Sequence, residues 1–266
     1  MSLCQLVPIL VFALGAGSLA DVVDRRRLLM VTQTALATFS LALVAIRPLP
    51  PLGEVSRPGL AAIREGLGYV RRRRAILGSF VIDLDAMIFG MPTALFPVLA
   101  LDVFRTGPAG FGLLAAAPAA GAFLGALLSG WVSHVQRTGR AILLSVVVWG
   151  LAITAFGLAT FSFPLALVFL AAAGAADVFS AVFRSSLIQL ETPDGLRGRV
   201  TSIHTLVVTS GPRFGDIEAS VVAALAGPQF AVVSGGVACL LGVWVVARRF
   251  PELVHDIAGQ TAVSAG

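Results

Sequence analysis

Charge is what this sequence has least of. Only 12% of its 266 residues are charged, and lysine does not occur, so all 19 basic residues are arginine. A soluble domain of this length needs far more charge to cover its surface, and that class is excluded. The missing lysine fits a GC-rich coding genome as well as any physical cause and assigns no function. Cysteine is scarce too: Cys4 and Cys239 both lie in apolar runs, from which neither a disulfide framework nor a metal site follows. No nucleotide-binding loop, metal-ligand cluster or nucleophile arrangement occurs. Primary ATP-driven transport, enzymatic turnover and a cofactor are therefore not expected. His134 and His204 lie near helix ends, and neither is given a role.

Apolar residues make up 57% of the chain, and the mean hydropathy is +0.93. The 28 glycines fit membrane helices that pack closely through small residues. A span needs about 20 mainly apolar residues. Runs of that kind cover 3–20, 28–47, 75–101, 110–132, 141–160, 163–190, 200–226 and 229–247, which predicts an all-α polytopic membrane protein of about eight spans. The first run is followed, not preceded, by arginines, so it reads as a span and not as a cleaved signal peptide.

A net charge of +5 would point to nucleic acid in a soluble protein. Here the arginines cluster in short loops between apolar runs, which is an orientation pattern, and nucleic acid is not expected as a partner. From residue 71 onward they alternate. Arg71–Arg74, Arg137 with Arg140, Arg197 with Arg199, and Arg248–Arg249 mark cytoplasmic loops, while 102–109, "TFSFP" and "AGPQ" fall outside. Six spans with both ends in the cytoplasm explain every loop. The linker before them is proline-rich, then carries "LAAIREGLGYV", whose mixed polarity predicts a short interfacial helix. The tetrad Arg71–Arg74 is an orientation signal first and an anionic-lipid contact second.

The first third breaks the alternation. Arg25–Arg27 and Arg71–Arg74 both demand the cytoplasmic side, yet only the run 28–47 separates them. One crossing cannot return a chain to the side it left. Either that run re-enters, or the basic linker is forced outside, or an odd number of spans is missing.

"GSLADVVDRRRLL" closely resembles the cytoplasmic loop motif of the major facilitator superfamily, in which a Gly is followed four residues later by Asp and then by a basic cluster. The matching positions are Gly17, Asp21, Arg25 and Arg26; Val22 departs from the basic residue usual after the Asp, and Asp24 stands where many members have Gly. "DLDAMIFGMPTALFPVLA", "GFGLLAAAPAAGAFLGALLSG", "AADVFSAVFRSSLIQLETPDGLRGRV" and "GPRFGDIEASVVAALAGPQFAVVSGG" resemble later helices of its bacterial efflux branch of enterobactin-exporter type. The resemblance implies twelve helices in two halves for a whole member, and a truncated, internally deleted first half here. The implied organisation is a shortened N-terminal transmembrane half over 1–47, an interhalf linker over 48–74, a complete six-helix half over 75–250 and a cytoplasmic tail over 251–266. It further implies a multi-pass protein of the bacterial inner membrane, with its C-terminus cytoplasmic. The function expected is proton-coupled efflux of a small amphipathic molecule such as a siderophore or drug. Its partners would be membrane lipids, that substrate and protons, with a second copy or partner half completing the transporter. The alternative is a transport-incompetent remnant or a membrane interaction protein.

Several charged residues inside the runs are candidates for chemistry. Gly17, Asp21, Arg25 and Arg26 are expected, from the resemblance, to form a gate latch that exchanges partners between transport states; the alternative is a plain orientation anchor. Asp83 and Asp85 lie inside a span, where ionisable groups are costly and face a cavity or a partner. Two residues apart on a helix places them about 200° apart, so one can serve proton coupling or substrate while the other is structural, paired with an arginine. Pro92 and Pro97 are expected to bend this helix. Asp177 and Arg184 share a helix face about 10 Å apart along the axis, too far for a direct bond but placed to line a polar stripe; alternatively Arg184 snorkels toward the cytoplasmic end near Gln189. Arg213, Asp216 and Glu218 follow one another beside Pro212 and two glycines, which predicts an Arg213–Asp216 pair on a bent or broken helix lining a substrate or proton site. The alternative is a turn that leaves them in water. Gly121, Gly125 and Ser129 form a small-residue stripe expected to serve packing.

Overall fold

A computed structural model describes residues 60–135 and 137–254, together with Thr34 and Thr38, with the backbone alone at residues 60–62, 131, 133 and 134. The motif Gly17, Asp21, Arg25 and Arg26 and the run 28–47, apart from the two threonines, lie outside the described residues. The chain divides into two compact units, Met1–Leu52 and Gly53–Gly266. In the first, Thr38 donates its hydroxyl to the Thr34 carbonyl at 2.8 Å. Everything that follows concerns the second.

Its helices are α1 (Leu60–Arg72), α2 (Arg74–Phe89), α3 (Gly107–Leu127), α4 (Thr138–Leu158), α5 (Phe163–Glu191), α6 (Asp194–Ala226), α7 (Pro228–Arg249) and the short α8 (Pro251–Val254). The stretch "LAAIREGLGYV" forms α1, as its pattern predicts. Five segments are long and apolar enough to cross a membrane: Arg74–Val103, Gly107–Leu127, Thr138–Leu158, Phe163–Glu191 and Pro228–Arg249. They match the predicted runs to within a few residues. The predicted run 200–226 folds as most of α6 but is not among the five. At 33 residues, α6 extends about 50 Å and exceeds the hydrocarbon core, and its second half carries Arg213, Asp216 and Glu218.

Arg73, Arg74, Arg140, Arg199 and Arg249 meet at one end of the bundle. Arg74 donates to the Arg249 carbonyl at 3.2 Å and lies 3.5 Å from Glu252. Arg73 faces Glu191 at 4.0 Å, Arg199 faces Glu65 at 2.5 Å, and Arg140 Nε donates to the Val254 carbonyl at 2.7 Å. The Tyr69 hydroxyl donates to the Glu191 carbonyl and ties α1 to the end of α5. The alternation of basic and uncharged loops thus becomes a spatial segregation, as expected of antiparallel spans.

Close helix contacts rest on glycine. A Cβ on Gly121 would run into the Ala171 carbonyl, and one on Gly174 into the Pro118 carbonyl. Gly125 sits 3.1 Å, measured from the same imagined Cβ, from the Ala175 backbone. These positions let α3 and α5 touch backbone to backbone. Ser129 does not continue the stripe: α3 ends at Leu127, and the Ser129 hydroxyl turns back to the Ala126 carbonyl at 2.6 Å.

Proline shapes α2 as expected. The helix stops at Phe89, and Gly90–Pro92 break it before short helical turns at Thr93–Leu95, Phe96–Val98 and Leu99–Val103. Pro92 has no N–H to continue the ladder, and Pro97 sits in the first turn of the next segment, where none is needed. Trp149 Nε1 of α4 donates to the Gly90 carbonyl at 2.7 Å, so the break is satisfied from outside the helix.

Candidate functional site

α2, α5 and α6 meet around a cluster of charge sealed from the surroundings. Asp83 and Arg184 each retain only 3% of their exposure. Two full charges survive such burial only when paired and hydrogen-bonded. Arg184 Nη1 lies 2.6 Å from Asp83 Oδ1 and donates to Ser180 Oγ at 3.3 Å, one turn back on α5. Arg184 Nε donates to His204 Nε2 of α6 at 3.1 Å. A histidine that accepts at Nε2 is neutral and carries its proton on Nδ1. Phe80, one turn before Asp83, packs against the imidazole with ring centroids 5.4 Å apart.

The cluster is incompletely satisfied. Asp83 Oδ2 is buried without a hydrogen-bond partner and stands 3.8 Å from His204 Nε2. That nitrogen can serve only one neighbour. Neutral, it accepts from Arg184; protonated, it loses that acceptor role and can donate toward Asp83. The arrangement holds two proton positions facing one guanidinium.

Asp85 points away from this cluster, as two-residue spacing on a helix requires. Its carboxylate meets the Cys239 thiol on α7 and occupies the space a Cβ on Gly242 would fill. Asp85 Oδ2 is also buried without a hydrogen-bond partner. No ion pair is made by Asp85 among the described residues.

Arg184 does not snorkel to the helix end; Asp83 holds it in the interior. Asp177 lies two turns earlier on α5, within electrostatic reach of Arg184. It lines a cavity of about 210 Å³ together with Gly90, Met91, Thr93, Pro118 and Trp149. The break in α2 therefore opens onto the same face of α5 that carries the buried pair.

The Arg213 group is arranged otherwise than expected. α6 runs unbroken through Pro212. Gly211 and Gly215 serve close packing against α2: a Cβ at Gly211 would lie 2.9 Å from Met87 Sδ, and one at Gly215 would strike the Met87 carbonyl. Asp216 takes Thr93 as its partner, accepting from the hydroxyl at 2.9 Å, and not Arg213. Arg213 is exposed and Glu218 half-buried. Only Asp216 of the three thus reaches the cavity wall, through Thr93.

His204, given no role from the sequence, and Ser180, not singled out there, carry part of the site. A lone histidine amid threonines and apolar residues has no spacing pattern. The available signal was Arg184 itself, since a buried guanidinium has five N–H groups and one carboxylate cannot accept from all of them.

Five helices long and apolar enough to cross a membrane, with an ion pair buried between α2 and α5, describe an all-α multi-pass membrane protein. The chain belongs to the MFS_3 family of transmembrane secretion effectors, whose family model matches residues 54–261. It is 31% identical over 181 residues to proteins named enterobactin exporter EntS from Escherichia coli O1:K1 / APEC, and likewise to those of E. coli strain SMS-3-5 and Shigella boydii serotype 18. Each alignment covers 66% of this chain, and the chain spans 42% of the length of these relatives. No solved structure matches it. The family and these relatives are named for transmembrane secretion and export, not for enzymatic turnover, and the match agrees with the apolar helices.

Proposed function

We propose that this chain belongs to an efflux transporter that moves a small amphipathic molecule out of the cell in exchange for protons. Residues 75–250 act as a six-helix half, 48–74 as the interhalf linker, 1–47 as a shortened first half and 251–266 as a cytoplasmic tail. The observation that carries the reading is the buried Asp83–Arg184 pair with half-buried His204 against it, held by three helices with one carboxylate oxygen unsatisfied. A proton arriving on Asp83 removes the negative partner of Arg184; one arriving on His204 removes the acceptor of its Nε. Either frees the guanidinium and loosens α2 from α5 and α6. Asp177, within electrostatic reach of Arg184, borders the cavity together with Thr93, and through it protonation and substrate occupancy can exclude each other.

The substrate class follows from the cavity wall, which is mainly apolar with one carboxylate and one hydroxyl. A part of a siderophore of the kind named in the relatives, or of a drug of similar character, matches that wall, the remaining space being supplied by the facing half. The gate role of Gly17, Asp21, Arg25 and Arg26 is part of the same proposal. So is completion of the central site by a second copy or partner half.

The test is proton movement in proteoliposomes carrying a pH dye inside and an imposed pH gradient, with enterobactin added as probe. Probe-dependent collapse of the gradient is expected from the native chain and from Asp102→Asn, which alters an exposed carboxylate, and none from Asp83→Asn. A second reading, a membrane interaction protein that moves no solute, draws on the exposed apolar row Leu206, Phe214, Ile217, Val221 and Leu225 of α6. It would be supported by a native chain that is folded in vesicles yet silent in this assay.

A further inference from the structure

A second feature lies on the outer wall of the bundle, away from the buried cluster. Between α4 and α5 runs a groove of about 670 Å³. Ala141 and Ser145 on α4 and Ala172, Ala175 and Ala176 on α5 are too small to fill it, while Leu144 and Val148 form its rim. Leu144 is 64% and Val148 50% exposed, so the groove opens outward. It extends from Arg137 to Val148 along α4, about 16 Å at the helical rise.

Its two ends differ in kind. The Val148 end is wholly apolar, whereas Arg137 and Arg140 stand at the mouth on the arginine-rich end of the bundle. Both are exposed. Arg73, Arg74, Arg197 and Arg199 at that end each face a carboxylate. Arg137 and Arg140 make no ion pair among the described residues, and Arg140 spends only its Nε, on the Val254 carbonyl. Its terminal N–H groups meet no carboxylate among the described residues.

We infer that this groove seats one anionic phospholipid, its phosphate held by Arg137 and Arg140 and its acyl chain lying along α4 toward Val148. In hydrocarbon an apolar groove open to the lipid is filled by a chain, since nothing else there matches it. Two guanidinium groups at headgroup depth favour a phosphate and present paired N–H groups to its oxygens. A headgroup that also carries an ammonium would set a third positive charge beside them, so net negative charge is selected.

The experiment uses the full chain in nanodiscs with phosphatidylglycerol or phosphatidylethanolamine bearing the same acyl-chain photo-crosslinker, and maps labelled peptides by mass spectrometry. Labelling within 141–148 and 172–183 is expected, with phosphatidylglycerol preferred. Arg137→Gln with Arg140→Gln should reduce that preference about 25-fold, at about fivefold per arginine, while Arg137→Lys with Arg140→Lys keeps most of it. Ala172→Leu should exclude both lipids from these peptides. Equal labelling by the two lipids in the native chain, labelling confined to other helices, or a preference untouched by the double glutamine variant would each overturn the assignment. The arginine variants lie on the surface, so they decide the matter even if Ala172→Leu fails to fold. Transport is not read, so failure here leaves the proton-coupling proposal standing and the reverse also holds.

Discussion

Arg184 gives its Nε proton to His204 Nε2 across 3.1 Å, although both side chains are bases. The contact is favourable only while the imidazole is neutral, and it holds α5 to α6 at the same point where Asp83 holds α5 to α2. One guanidinium therefore ties three helices together, and each tie is cut by a proton on a different residue.

The Asp83–Arg184 pair should be far more costly to halve than to delete. Asp83→Leu alone leaves a buried unpaired guanidinium, and a loss of about 3–5 kcal/mol is expected. Asp83→Leu combined with Arg184→Met should recover most of it. Thermal unfolding of the three variants in one detergent checks this; a double variant as unstable as the single one would show that the pair is not the source of the loss.

His204 is expected to act through its acceptor nitrogen. His204→Gln keeps an acceptor for Arg184 and should stay close to the native stability, while His204→Leu strands the Nε–H at a cost of about 1–3 kcal/mol. Stability is the first readout. The second is the pH profile of proton-coupled flux, which should flatten in His204→Gln because glutamine cannot titrate.

Gly242 and Asp85 should be coupled. An alanine at 242 drives its Cβ into the Asp85 carboxylate, and overpacking of this kind costs about 1–3 kcal/mol. Asp85→Ala should relieve it. The double variant is predicted to cost less than the sum of the two single ones, by about the size of the relieved clash, whereas simple additivity would mean that the two side chains do not share that space.

Glycines on α3 should differ sharply by position. Gly121→Ala strikes the Ala171 backbone, while Gly112→Ala meets nothing nearby. The first should destabilise the α3–α5 contact by about 1–3 kcal/mol; the second should be neutral or slightly stabilising, since alanine orders the helix more readily. Comparing their unfolding midpoints is sufficient.

Much of the fold could be read from the sequence because bilayer thickness sets helix length. The runs beginning at residues 75, 110, 141, 163, 200 and 229 all became helices, and the proline break in α2 fell where Pro92 predicts it. The site was only half legible. That Asp83 and Asp85 face opposite ways follows from helical geometry, but which faces Arg184 and which faces Cys239 depends on how α2 rotates against α5 and α7. The Arg213–Asp216 pair failed for a related reason: i, i+3 spacing allows a contact, and Thr93 from the broken segment of α2 competes for it. Glycines beside Pro212 suggested a break, whereas their work is to admit Met87. His204 was missed because it belongs to no local pattern and acquires meaning only beside a guanidinium on another helix.

The central claim is that protonation of Asp83 and occupancy of the cavity exclude each other. Its most direct test is proton release from the detergent-solubilised chain, in unbuffered solution with a pH dye, on addition of enterobactin. The account predicts protons released by the native protein and by Asp102→Asn, and none by Asp83→Asn. Release from Asp83→Asn equal to that of the native protein would contradict it.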